Sequence, residues 1–470
     1  MSKDDTGMSG SDDSHMPPAG SAGNGGHAPS RPGPLHDLGF SHGYAQRSRF
    51  IHGEMVSPHW DYSHHVVPPM SASATYRLDS GQRGAQGFCQ FGTTEEVEQE
   101  ILIYDRLQEP TSSMLEDRLA EAERAAVGIS FSTGMAAISA AITSLVTTGQ
   151  HVIAHKCLYG CTASLLKNWY PRLGINVTFI DADNPDELAA AIRPETRVVY
   201  LETPVNPTLE IIDLRRLSDV LDSVNRRRPP EERIYSICDN TFATPVCQRP
   251  REHGIDVVVH SLTKGIGGFG TDMGGMVICP LELEPIYKLY RKDFGGSLSP
   301  KAAWPPLVYG LPTLPVRMRQ MQYNAQKVAE YLSGHPLVSR VRYPGLADNP
   351  DHEVARRQMT NFDGAFMPGS LLYFTLKEEP GSNANAEAFI DFVADNSYVI
   401  TLAVSLGQVK TLIENPCSMT HSALDPEMQA EGGIEPGGIR LSCGIEETND
   451  ILRDLEAAFA HVAGIKRERV

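Results

Sequence analysis

The chain has 470 residues, enough for two or three domains and a sizeable core. Its 41 Lys and Arg against 58 Asp and Glu give a net charge of −17, which argues against nucleic-acid or anionic-membrane partners. No apolar run reaches the ~18 residues of a membrane helix, the N-terminus lacks an apolar signal core, and the eight cysteines form no CxxC pair. A reduced cytoplasmic protein without a metal site is expected.

Residues 1–45, rich in Gly, Ser, Pro and His, are expected to be a disordered tail. His64 and His65 are adjacent, and neighbours on a strand point to opposite faces, so no shared metal is expected there. Tyr104-Asp105-Arg106 precedes Pro110-Thr111, after which Leu115, Leu119 and Ala122 fall at helical spacing. Arg106 can fork onto a phosphate and Tyr104 can donate to one, although each alone reads equally as a surface residue. Phe131 to Met135 opens an Ala-rich run to about Val146. Backbone N–H groups at Gly134 and Met135 could hold an anion there, or the segment is a simple N-cap.

An apolar strand from His151 to His155 stops before Tyr159-Gly160-Cys161-Thr162, whose ring can stack on a flat cofactor or fill a core. Arg197 to Leu201 reads as a strand ending in Glu202-Thr203-Pro204, with Asn206 just beyond. An amphipathic helix over 215–225 and a charged loop over 226–233 follow, then a strand from Ile234 to Cys238 ending in Asp239-Asn240-Thr241. The valine-rich run from Asp256 to His260 is a further strand, and past its end sit Ser261, Thr263 and Lys264. Such alternation predicts an α/β fold with a mostly parallel sheet covered on both faces, its strand-end polar residues gathered along one edge. Gly265, Gly267 and Gly270 match a dinucleotide fingerprint, yet Met276 to Cys279 reads as another strand where that motif needs a helix. From about Thr313, helix-like segments at 318–332 and 449–462 bracket strand-like runs at 371–376 and 398–404. These predict a smaller α+β domain closing over a substrate.

One chemistry unites these pieces. A lysine held partly desolvated at a strand end can lose its proton and form a Schiff base with a carbonyl. On an amino acid that chemistry needs an electron sink, which pyridoxal phosphate supplies while its ring nitrogen stays protonated. Asp239, 25 positions before Lys264, is the candidate carboxylate facing that nitrogen, although alone it reads as a turn or cap residue. Ser261, Thr263 and the Gly134-Met135 helix start are candidates for the phosphate.

At this point the sequence resembles the Cys/Met-metabolism family of pyridoxal-phosphate enzymes, over roughly Tyr104 to the C-terminus. The carrying motifs occur in order: YDRLQEPT, STGM, LYGCT, ETPVNPT, CDNTFATP, HSLTKG, AVSLG, SMTHS and GIRLSCG. The resemblance implies a fold type I large domain over 111–312, a C-terminal domain over 313–470 and an arm over 46–110 contacting a neighbouring subunit. It implies Lys264 as the Schiff-base lysine, Asp239 as the partner of the pyridine nitrogen, and Tyr159 stacking on the ring and assisting proton transfer. Gly134, Met135, Thr241, Ser261 and Thr263 are expected around the cofactor. Tyr104 and Arg106 are expected at the phosphate of a neighbouring subunit, which implies a homodimeric unit doubled into a tetramer. Asn206, Ser405 and Arg440 are expected at the substrate, the last as a fork for its carboxylate.

Cys161 and the pair Lys292-Asp293 resemble methionine γ-lyase, although Cys161 is also a plausible small filler by type. γ-Elimination of methionine is therefore expected. The alternatives are cystathionine γ-lyase, or γ-replacement by a cystathionine γ-synthase or O-acylhomoserine sulfhydrylase. A catalytically silent cofactor binder is a further class, disfavoured by the joint presence of Lys264, Asp239, Tyr159 and Arg440. Several positions depart from the family pattern: Gly265 after the lysine, Phe269 and Thr271 in a run closer to the sulfhydrylases, Asp105 between Tyr104 and Arg106, and Glu109 before Pro110.

Overall fold

The computed structural model describes residues 45–52, 65–92, 100–379, 382–422 and 424–468, excluding the side chains of 465–468. The tail over residues 1–44 and His64 lie outside the described residues.

Valine-rich runs build the first sheet, because β-branched side chains suit a pleated surface covered on both faces. Its strands are β1 (Val127–Phe131), β2 (His151–His155), β3 (Asn176–Ile180), β4 (Thr196–Glu202), β5 (Tyr235–Asp239), β6 (Val257–Ser261) and β7 (Gly275–Cys279). They lie in the order β1-β7-β6-β5-β4-β2-β3. Only β7 is antiparallel to its neighbours, pairing Ser261 with Gly275 and Phe131 with Gly275 across its start. The mostly parallel α/β sheet expected from the sequence is therefore present. Its geometry also disposes of the dinucleotide motif: after Gly270 the chain returns directly as β7, with no helix opening at the glycines.

Helices cover the sheet. Gly134–Thr143 is capped by Thr133, whose hydroxyl accepts the Ala136 N–H at 3.0 Å. This helix stops at Ser144, short of the expected Val146. Leu214–Asn225 is capped by Asp213, which accepts from Arg216. Pro110–Ala122 is capped by Glu109, which accepts the N–H groups of Thr111 at 2.8 Å and of Ser112. The departure from family pattern at Glu109 is thus a buried helix cap.

The second sheet has the order β10-β11-β12-β9-β8. Its strands are β8 (Val338–Arg342), β9 (Leu371–Leu376), β10 (Thr401–Leu402), β11 (Leu412–Glu414) and β12 (Gly438–Ser442). The helices Leu311–Gly334, Ala384–Asn396 and Thr448–Glu468 accompany it. The strand expected over 398–404 shrinks to two residues. Ala403 still donates to Ile413, but Ser405 N–H turns back onto the Ala403 carbonyl, which leaves Val404 exposed and sends the chain away from the sheet. The helix expected over 318–332 begins earlier, at Leu311, and runs 24 residues. Among the described residues no helix is long and apolar enough to cross a membrane.

Candidate active site

Strand ends place the site. β4 ends at Glu202, β5 at Asp239 and β6 at Ser261, so three polar residues line one edge of a buried sheet. Glu202 and Asp239 are register partners in the parallel β4–β5 ladder.

Thr241 ties this edge together. Its N–H donates to Asp239 Oδ1 at 2.9 Å, and its hydroxyl accepts the Ser261 N–H at 2.8 Å. Burial pushes the Asp239 carboxyl up, while the hydrogen bonds from Thr241 pull it down. Among the described residues Asp239 has no ion-pair partner, so a buried acid is held ready for a cation that the chain itself does not supply. Beside it, a Cβ on Gly134 would lie 2.8 Å from the Ser261 Cβ. Only glycine lets the Gly134–Thr143 helix start so close to the end of β6. The first N–H groups of that helix have no intrahelical acceptor, which suits an anion. Thr263 faces the same loop, its hydroxyl accepting the Gly274 N–H at 3.2 Å, and Met135 sulfur lies 3.9 Å from the Thr162 hydroxyl. The acid and the helix start fit a protonated pyridine bearing a phosphate.

Lys264 is half-buried, and its Nζ lies 3.3 Å from Ser405 Oγ. Burial and then the Arg440 cation lower its pKa, against a smaller opposing effect of Glu414. The neutral, nucleophilic amine is thereby favoured. Tyr159 caps a short helix over Gly160–Ser164, and its backbone N–H donates to Glu202 Oε1. Burial, followed by the adjoining Cys161 thiol, raises its phenol above the usual range. Cys161 is exposed beside it.

Arg440 stands in β12, directly opposite Glu414 in β11. It donates to Asn206 Oδ1 at 2.8 Å and to the Ser405 carbonyl at 3.1 Å, and it pairs with Glu414 at 2.9 Å. A guanidinium has five N–H donors, and these contacts use three of them. Its carbon also lies 5.8 Å from the centre of the Phe242 ring. Arg440 and Glu414 are both buried, and the bond from Arg440 to Asn206 links the second sheet to the loop after β4.

The structure therefore brings Lys264, Ser405, Arg440 and Asn206 into one hydrogen-bonded group, and Asp239, Thr241 and Ser261 into another, with Gly134 packed against Ser261. The Tyr159 N–H donates to Glu202, the strand neighbour of Asp239. Tyr104 and Arg106 stand apart: both are exposed, the guanidinium lies 5.6 Å from the Tyr104 ring centre, and Arg106 donates to the Lys292 carbonyl. Two residues of the site carried no role in the sequence reading. Glu202 was visible only as a strand-end acid, and Glu414, which follows just two apolar residues, Leu412 and Ile413, gave no signal.

The chain matches the model of the Cys/Met metabolism PLP-dependent enzyme family over residues 48–460. It is 40% identical to L-methionine gamma-lyase of Fusobacterium nucleatum subsp. polymorphum over 399 residues, covering 84% of this chain and 94% of that one. It is 37% identical to cystathionine gamma-lyase of Bacillus subtilis, covering 76% and 89%. Among solved structures, cystathionine gamma synthase from Xanthomonas oryzae pv. oryzae, in complex with aminoacrylate and cysteine, superposes with a TM-score of 0.78 at 32% identity, covering 90% of this chain and 99% of that one.

Proposed function

Because the chain belongs to the Cys/Met-metabolism family of pyridoxal-phosphate-dependent enzymes, we propose that it cleaves the γ-carbon–sulfur bond of methionine. Methionine and water give methanethiol, 2-oxobutyrate and ammonia. Bound pyridoxal phosphate supplies the sink for the electrons left on the α-carbon. Lys264 would hold the cofactor, and its neutral amine would take the α-proton of the substrate. Asp239 would partner the pyridine nitrogen, and Gly134, Met135, Thr241, Ser261 and Thr263 would hold the rest of the group. Arg440, oriented by Asn206 and Glu414, takes the substrate carboxylate, with Ser405 between that carboxylate and Lys264.

The observation that carries the choice of methionine is the placement of the Cys161 thiol against the Tyr159 phenol. It puts a soft, polarisable group beside a proton donor at the site, and a departing thiolate suits both. That the methionine γ-lyases of several bacteria are among the similar proteins supports the same substrate. The pair Lys292–Asp293, 3.5 Å apart, adds the second feature shared with that enzyme. A homodimer, doubled into a tetramer, accounts for Tyr104 and Arg106, which present a phenol and a guanidinium outward together toward the phosphate of a second subunit.

The loop from Ile266 to Thr271 favours a second reading, γ-replacement on an O-acylhomoserine, because its sequence is closer to the sulfhydrylases. Cystathionine γ-lyase activity is a further alternative. Incubation with methionine, cystathionine and O-acetylhomoserine separately, with and without a thiol, tests them. Release of 2-oxobutyrate from methionine alone supports the proposal. Product formed only from the acylated homoserine plus thiol overturns it.

A further inference from the structure

Glu202 is the last residue of β4 and is 5% exposed. Its register partner is Asp239, at the end of β5. Paired residues of a parallel ladder point to the same face, and neighbouring strands lie about 4.8 Å apart. Two carboxyl groups are therefore buried side by side at the edge that receives the cofactor. Two such acids do not both ionise readily, because each anion raises the cost of the other.

The surroundings decide which one holds the proton. Asp239 accepts from the amide of Thr241 and from its hydroxyl, and a bound cofactor's pyridine nitrogen would supply its cation. Glu202 accepts one bond, the Tyr159 N–H on Oε1. The titratable groups facing it are Asp239, Arg440, Tyr159, Tyr200, Cys157 and Cys238. Of these only Arg440 is a cation, and Glu414 matches its charge directly at 2.9 Å. Tyr200, Cys157 and Cys238 are buried, Tyr159 is half-buried, and all four are held neutral.

We propose that Glu202 is a positioning residue carrying a proton: a neutral carboxylic acid that fixes the turn bearing Tyr159 and leaves Asp239 as the only anion of this acid pair for the ring nitrogen. Burial, and then the Asp239 charge, push the Glu202 carboxyl well above the usual range, in the direction the geometry requires. An ionised Glu202 would compete with Asp239 for the ring proton. The neutral acid still accepts the Tyr159 N–H on its carbonyl oxygen, so it keeps the phenol in place without adding charge.

The inference rests on Asp239 and Tyr159 lying at the cofactor, and its test separates the two levels. Infrared spectra of the cofactor-loaded enzyme at neutral pH are compared for wild type, Glu202→Gln and Asp239→Asn. The expected result is a carbonyl stretch of a neutral carboxylic acid in wild type that disappears in Glu202→Gln. Absence of that band, its survival in Glu202→Gln, or its loss only in Asp239→Asn overturns the proposal. Kinetics give a second readout. Glu202→Ala leaves the Tyr159 N–H without its acceptor and is expected to lower kcat about tenfold, whereas Glu202→Gln recovers most of that loss. Equal impairment of the two variants contradicts the inference. Should Glu202→Ala fail to fold, the volume-preserving Glu202→Gln spectrum decides alone. Failure of borohydride to mark Lys264 would instead overturn the cofactor placement, whatever the infrared band shows.

Discussion

The Lys264 amine and the Ser405 hydroxyl lie 3.3 Å apart although 141 positions separate them in the chain. One follows the end of β6 in the first sheet, and the other stands where the chain leaves β10 in the second. The contact is backed on both sides. Arg440 holds the Ser405 carbonyl, and Val409 N–H donates to the Gly268 carbonyl at 2.9 Å. The lysine proposed to hold the cofactor and the guanidinium proposed to take the substrate carboxylate are thus brought together by residues from both sheets.

Lys264→Ala removes both the proposed covalent anchor and the proposed base. Turnover should fall by about 10³-fold or more, in line with the loss of a general base together with a nucleophile. The variant should keep its melting temperature within a few degrees, because a half-buried amine with a single hydrogen bond contributes little to folding. Initial rates and thermal melts on the same preparation check this.

The lowered pKa of Lys264 makes a signed prediction. Burial and Arg440 both favour the neutral amine, so incorporation of pyridoxal phosphate into apoenzyme should reach its plateau at a lower pH than free lysine requires. Arg440→Gln removes the nearby cation and leaves the Glu414 anion, and both changes raise the amine pKa. The midpoint of the incorporation rate against pH should move upward in that variant. A downward move would contradict the assignment.

Glu414→Ala breaks a pair in which both partners are buried. Leaving Arg440 uncompensated should cost about 3–5 kcal/mol of stability. KM should rise more than kcat falls, because the fork that takes the carboxylate loses its orientation. Chemical denaturation and steady-state kinetics measure the two effects separately.

Buried imidazoles set the acid limit. His155 and His421 are both depressed to about 4, chiefly by burial. Each is neutral in the folded chain, while the unfolded chain binds a proton near 6.5. Their contribution is therefore full above about 6.5 and lost as pH falls toward 4, by about 3 kcal/mol for each residue. The melting temperature should fall across that window, and less steeply in His421→Gln.

Gly275→Ala tests the sheet edge. An added Cβ would press on the carbonyl of Thr133, the residue whose hydroxyl caps the helix expected to receive the phosphate. Overpacking against backbone costs about 1–3 kcal/mol. Cofactor affinity should fall with stability, as read by equilibrium dialysis and melting.

Much of this arrangement was legible because strand ends are marked twice, by an apolar run and by the polar residues that follow it. Asp239, Ser261 and Lys264 were found in that way. β3, with its half-exposed pattern, and the three-residue β11 carried too weak a signal to be read, and β12, interrupted by Arg440, was not read as a strand either. Without β11 and β12 the pairing of Glu414 with Arg440 could not be anticipated, since it depends on register and not on spacing. Glu202 was missed for a different reason. A strand-end acid followed by Thr203 and Pro204 looks solvated until its neighbour in the sheet proves to be another acid.

The most direct test of the account is borohydride reduction of the enzyme reconstituted with pyridoxal phosphate, followed by peptide mass spectrometry. A pyridoxyl group on Lys264 is the predicted result. A colourless protein, no modified peptide, or the group on a different lysine would contradict it.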